Sequence, residues 1–211
     1  MDSKDGFIER LSQALKEGLP GPVSQYKMAP ELRLGNNHEY YRNAGVLILL
    51  FREDSIWHLV LMKRPEYQGV HGNQVSLPGG IHEKSDKDLA ATALRETREE
   101  LGIDDKRVRL LGQLSKLDIP VSGIEVTPFV GVYPENPEFQ PDPAEVAYLI
   151  KVALADLLPE ESVDEEIRTI HCKIVKVPFF RIGMDKVWGA TAMMLSEFLD
   201  VVRSLEVADL Q

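Results

Sequence analysis

In the run Arg95-Glu96-Thr97-Arg98-Glu99-Glu100-Leu101-Gly102-Ile103, three carboxylates stand at i, i+3 and i+4. On a helix that spacing puts them on one face, where each like-charged pair costs about 0.2–0.5 kcal/mol unless something positive neutralises it. Arg95 and Arg98 offset part of the repulsion. A hard divalent cation such as Mg²⁺, which takes carboxylate oxygens and keeps several waters, offsets more. Taken alone, such a run reads as a solvated face of a charged helix. Just upstream, however, lies Leu77-Pro78-Gly79-Gly80, a turn whose glycines let backbone approach a phosphate or present a carbonyl to a metal. Turn and helix together read as a site for a metal and a diphosphate.

The elements that must position this site follow from periodicity. The carboxylate helix is predicted from about Asp86 to Leu101, with Leu89, Ala93, Leu94, Thr97 and Leu101 on one side and Gly102 as its C-terminal cap. Before it, 43–51 (NAGVLILLF) and 56–64 (IWHLVLMKR) read as neighbouring strands separated by the polar turn REDS. Strand-like runs follow at VRLLGQLSKL, EVTPFVGVY and EVAYLIKVAL, and IRTIHCKIVKVPFF reads as a hairpin. PENPEFQPDP, dense in proline and acid, is the clearest loop. Phe7, Ile8, Leu11 and Leu15 predict an amphipathic helix over 4–17, and Leu195, Phe198, Leu199 and Val202 a last one over 190–205. Trp188 and Phe198 read as core residues of that last region.

The 34 acidic against 24 basic residues, a net charge of -10, repel polyanions at long range and argue against duplex nucleic acid. A small anionic substrate remains compatible, because a bound cation reverses the potential locally. With Cys172 as the one cysteine, neither an intrachain disulfide nor a cysteine zinc cage can form, and Cys172 itself, in an apolar alternation, reads as a thiol without a nucleophilic role. The five histidines lack HExxH spacing, no Walker loop ends HGNQVSLPGG, and no GxGxxG follows a strand. Neither a secretory leader nor a span of about 20 apolar residues is visible, so the expectation is a soluble, cytoplasmic protein without membrane or nucleic-acid partners.

The run from Gly80 to Ile103 resembles the Nudix box, G-x5-E-x7-REUxEExGU with U aliphatic. The second half agrees at every fixed charged or glycine position, with Thr97 in place of the usual aliphatic residue. In the first half, Gly80 sits one residue farther from Arg95 than the box requires and Lys87 takes the usual glutamate place, leaving Asp86 or Asp88 to pair with Arg95. The coenzyme A diphosphatase group shares this one-residue expansion and a pattern similar to His71, Gln74-Val75-Ser76-Leu77-Pro78-Gly79-Gly80, Asp86 and Thr92-Ala93-Leu94-Arg95-Glu96. The likeness extends to the LPGP segment with Lys27-Met28-Ala29-Pro30, to Val126–Val130, to Ala144-Glu145-Val146 and to Val187-Trp188-Gly189-Ala190-Thr191-Ala192. Arg64 agrees with the group's upstream signature, whereas Met62, Pro65, Gly69 and Asn73 depart from it; a lost arginine at 69 removes a planar phosphate donor.

The resemblance implies an α/β fold: a Nudix-type α/β/α sandwich with a mixed, twisted β-sheet, the carboxylate helix on one side and the C-terminal helix on the other. A helical arm over 1–35 would pack on a Nudix hydrolase domain over 36–211. It implies Mg²⁺ or Mn²⁺ held by Glu96 and Glu100, with Glu99 a third ligand or the group that orients water, and the Gly80 carbonyl in the shell. Arg95 would brace the glutamates, Glu99 or Glu145 would serve as general base, and Arg64, His71, Gln74 and Gly79 would bind substrate. The implied substrate is coenzyme A or its thioesters. The alternatives are ADP-ribose, a dinucleoside polyphosphate or a damaged nucleotide, or a nucleotide-sensing domain without catalysis, which typically loses box glutamates that are retained here. The N-terminal arm could also serve a homodimer.

Overall fold

The structure is a computed structural model and describes residues 3–31, 41–66, 74–170 and 172–205. Helix α1 (Ser3–Glu17) turns Phe7, Ile8, Leu11 and Leu15 into the core, and the short α2 (Pro22–Gln25) starts on a proline that has no N–H to satisfy. Strands β1 (Arg42–Glu53) and β2 (Ile56–Lys63) form a hairpin whose two turn residues, Asp54 and Ser55, both take positive φ (49° and 70°), the conformation that matches the twist of the strands. The chain continues through β3 (Val75–Ser76), β4 (Gly79–Ile81), helix α3 (Leu89–Leu101), β5 (Arg109–Gln113), β6 (Leu117–Ile119), β7 (Ile124–Val132) and β8 (Tyr148–Ala153). After α4 (Leu154–Leu157) come β9 (Val163–Ile170), β10 (Lys173–Ile182), β11 (Asp185–Trp188) and helix α5 (Gly189–Ser204).

The main sheet runs β3-β2-β1-β7-β5, with β4 against β1, β6 against β7 and β8 against β2. β1 and β7 are parallel from Arg42↔Ile124 to Leu50↔Val132, and the remaining pairings are antiparallel. This is the mixed sheet expected, and it has helices on both faces. Leu47, Leu49 and Phe51 pack with Ala93, Leu101 and Ile103 on the α3 side; Ile48 and Leu50 belong to the larger core with Phe7, Leu11, Phe198 and Leu199 of α1 and α5. Burial on both faces is why the β1 sequence is a continuous apolar run and not an alternating one. Among the described residues no helix is long and apolar enough to cross a membrane.

Four expectations are corrected. The carboxylate helix starts at Leu89, three residues later than predicted, because the Asp88 carboxylate accepts the Ala91 N–H (2.8 Å) and caps it. The run VRLLGQLSKL splits into β5 and β6, since Leu114 donates to the Pro128 carbonyl of β7 but Pro128 has no N–H to return the bond. Cys172 lies exposed at φ 61°, outside any apolar alternation, in the turn of the expected hairpin, which is present as β9 and β10 and forms with β11 a separate sheet, order β11-β10-β9. Phe198 is buried as expected, but Trp188 is only half-buried and borders a cleft.

Candidate active site

Two glycines let the β4 backbone pack closely, Gly79 against β1 and Gly80 against α3. Gly79 has φ 144°, and a Cβ there would lie 2.4 Å from the Gly45 carbonyl oxygen; a Cβ on Gly80 would lie 2.4 Å from Oε1 of Glu96. The close approach lets the Gly79 N–H donate to Glu100 Oε2 at 2.8 Å. A third segment arrives from far along the sequence. Backbone N–H groups of Gln140 and Asp142 donate to the carbonyls of Leu101 and Glu100 at the end of α3, Ala147 N–H donates to the Lys63 carbonyl, and Val146 is buried. Glu145 is held between those anchors.

As a result, carboxylate oxygens of Glu96, Glu100 and Glu145 lie within 4.8 Å of one another. Glu100 is 1% exposed. Burial pushes its carboxyl up to about 8, Arg64 and the Gly79 N–H acting against that shift, and Glu96 and Glu145 adding to it by repulsion. Burial also raises Glu96, with Arg95 offsetting part of the rise. The Arg64 guanidinium is 3.3 Å from Glu100 Oε1 and does not balance three acids. Three converging oxygen donors, one buried and short of positive charge, suit a hard divalent cation.

Arg95 is the brace between loop and helix. Its Nε and Nη2 donate to the two Asp86 oxygens (2.9 and 3.0 Å), Nη2 also reaches the Ile81 carbonyl (3.3 Å), and Nη1 meets Glu96 (2.9 Å) and Glu99 (3.0 Å). Of the two acids left open by the sequence, Asp86 therefore pairs with Arg95, and Asp88 caps the helix. Arg95 holds the Asp86 carboxyl far below the usual carboxylate range despite burial, helped by the Glu83 N–H and the Thr92 hydroxyl. Glu99 stands outside the trio: its side chain is 47% exposed, and its two oxygens accept from Arg95 and from Arg98 (2.9 Å).

The trio opens on a cleft of about 720 Å³ that Arg64, Gln74, Gly79 and Gly80 also line. His71, Gly69 and Asn73 lie outside the described residues. Away from the acids the wall is apolar, with Ile119, Val121, Ile124, Met193 and Met194 beside Trp188. Sequence reasoning gave Ser76 no role and took Trp188 for a core residue. Ser76 lines the cleft with a buried hydroxyl that has no hydrogen-bond partner among the described residues, and a lone serine carries no sequence signal for that.

A family model described as the NUDIX domain matches residues 41–174. A protein named "Uncharacterized Nudix hydrolase NudL" from Photorhabdus laumondii subsp. laumondii is 33% identical over 174 residues, 82% of this chain and 90% of its own. Its namesake from Yersinia enterocolitica is 42% identical over 155 residues, 73% of this chain and 75% of its own. Among solved structures, the Nudix hydrolase RenU from M. smegmatis superposes with TM-score 0.53 at 12% identity, covering 83% of this chain and 94% of that one, a likeness of fold.

Proposed function

This chain belongs to the Nudix family and is a Nudix hydrolase, and from that premise we propose that it cleaves, with Mg²⁺ or Mn²⁺, a diphosphate bond in coenzyme A or its thioesters, giving 4′-phosphopantetheine, still acylated when the substrate is a thioester, and adenosine 3′,5′-bisphosphate. The observation that carries the reading is the convergence of Glu96, Glu100 and Glu145 within 4.8 Å at the side of a cleft large enough for a nucleotide derivative. The choice of substrate rests on the resemblance around Gln74–Gly80 and on the apolar wall, which suits an uncharged arm.

Glu96 and Glu100 are the principal metal ligands in this reading. A bound cation supplies charge neutralisation on the diphosphate oxygens and a more acidic water. Glu100 keeps its place through the Gly79 N–H, and Glu96 through Arg95. Arg95 braces and does not touch substrate, because Asp86, Ile81, Glu96 and Glu99 already engage its donors. Arg64, with one long contact to Glu100, borders the cleft and is placed to meet a phosphate. Both Glu99 oxygens are engaged by arginines, whereas Glu145 lines the cleft. Glu145 is accordingly the acid assigned to take the proton from the attacking water, with Glu99 tuning Arg95.

The test incubates purified protein and its Glu100→Gln variant with Mg²⁺ or Mn²⁺ and coenzyme A, acetyl coenzyme A, ADP-ribose, diadenosine polyphosphates or nucleoside triphosphates, with products identified by mass spectrometry. Phosphopantetheine and adenosine bisphosphate from coenzyme A, absent with the variant, are expected. Cleavage of a different diphosphate alone would refute the substrate assignment, and turnover by the variant would refute the site.

A further inference from the structure

We infer that Trp188 is the platform on which the substrate's nucleobase stacks, with the start of α5 holding the phosphorylated sugar beside it. The inference rests on the cleft being a nucleotide cleft, as proposed above, and goes beyond that reading in assigning the two ends of the substrate to different side chains of the wall.

Trp188 is the one aromatic side chain among the described residues that line the cleft. Its ring is fixed from behind: the Arg168 guanidinium lies 4.2 Å from the ring centroid, and Arg168 is itself held by an ion pair with Glu166, which Lys186 also engages. A ring immobilised by a cation on one side gives up little freedom when a ligand stacks on it. A flat π-surface is what a base requires and what a flexible pantetheine arm does not. The arm is served by Ile119, Val121, Ile124, Met193 and Met194, branched or adaptable side chains with no planar face.

The backbone next to the ring favours the same end of the substrate. Trp188 immediately precedes α5, whose start carries no side-chain cap, and Gly189, Ala190 and Thr191 border the cleft. Their N–H groups have no partner within the helix. A sugar phosphate attached to the stacked base finds donors there, and as an anion it is held more strongly than the neutral amide carbonyls of a pantetheine arm would be. The segment Val187–Ala192, which chain pattern alone marked without assigning it a role, thereby acquires one.

Tryptophan fluorescence of the metal-free protein tests this directly, since the chain has two tryptophans and the other, Trp57, is buried against Phe7 in the core. Titration with adenosine 3′,5′-bisphosphate is expected to quench the emission, whereas ribose 5-phosphate and 4′-phosphopantetheine do not. Trp188→Phe should abolish the quenching and keep most of the nucleotide affinity measured by calorimetry. Trp188→Ala should weaken that affinity by roughly 10- to 100-fold, the usual cost of losing one base–aromatic stack, and raise KM by more than it lowers kcat. Quenching by phosphopantetheine in preference to the nucleotide, or unchanged nucleotide affinity in Trp188→Ala, would overturn the inference. If the substrate panel shows no cleavage of coenzyme A but AMP still binds and quenches, the platform stands and only the substrate assignment fails.

Discussion

Replacing Gly80 by alanine separates the site from the scaffold with one methyl group. The added Cβ would lie 2.4 Å from Glu96 Oε1, 2.5 Å from its Cδ and 2.8 Å from Oε2. Ordinary carbon contacts begin near 3.5 Å, so the carboxylate must retreat by about 1 Å. Because it is the far end of a flexible side chain, the retreat is inexpensive for folding, and the expected loss of stability is below about 1 kcal/mol. It is costly for chemistry, since a displacement of about 1 Å at a reacting centre can lower the rate by roughly 100-fold. Gly45→Ala is the contrasting control: its Cβ would lie 2.2 Å from the Leu89 carbonyl oxygen, backbone that cannot step aside without lifting α3 off the sheet. The two variants and the parent would be compared by thermal unfolding, by Mn²⁺ titration and by steady-state hydrolysis. Gly80→Ala should unfold near the parent temperature with weakened Mn²⁺ binding and activity, while Gly45→Ala should lose stability first. Parental Mn²⁺ affinity and rate in a folded Gly80→Ala protein would refute the reasoning that the β4 backbone sets the position of Glu96.

Three further outcomes are expected. Glu100, raised from 4.5 to about 8 by burial, binds its proton more tightly in the folded than in the unfolded protein. Its contribution to metal-free stability should therefore be complete below about pH 4.5 and be lost as pH rises through 8; Glu100→Gln should flatten that decline, and unfolding curves of both proteins between about pH 5 and 9 check it. Asp86→Ala leaves the Arg95 fork short of its main partner and should cost about 3 kcal/mol, read as a fall in Tm of roughly 6–12 °C for a chain of this size. Asp86 is depressed in the folded state, so its contribution is complete above about pH 4 and is lost only as pH falls through the depressed value. Glu145→Gln should weaken Mn²⁺ binding by roughly 10-fold or more, as calorimetry would show, and an unchanged affinity would exclude Glu145 from the metal-facing trio.

Much of the architecture was legible because its causes are local. The i, i+3, i+4 spacing of Glu96, Glu99 and Glu100, the apolar stripe beneath them and the left-handed cap at Gly102 (φ 66°) are consequences of helical geometry within a few residues. The double-sided burial of β1 was visible as an unbroken apolar run, and the glycines at 79 and 80 marked a close approach before it could be seen what approached. Helical spacing places three carboxylates on one face, yet it does not decide which of them point inward. In the folded protein Arg95 and Arg98 draw Glu99 outward, while Glu100 turns to the Gly79 N–H and is buried.

What only the tertiary structure decided depends on contacts between distant parts of the chain. Glu145, an acid at the edge of an apolar run in the sequence, joins Glu96 and Glu100 because the preceding loop is tied to the carbonyls of Glu100 and Leu101 and the following strand to Lys63. The preference of Arg95 for Asp86 over Asp88 follows from the helix beginning at Leu89, which commits Asp88 to the cap. Trp188 reaches the cleft because β9, β10 and β11 form a sheet of their own that carries it to the wall, with Arg168 behind it. Periodicity records which side of an element is apolar; it holds no information on which element that side will meet, because strand pairing and loop docking are settled by long-range backbone hydrogen bonds between segments that carry no mark of their partner.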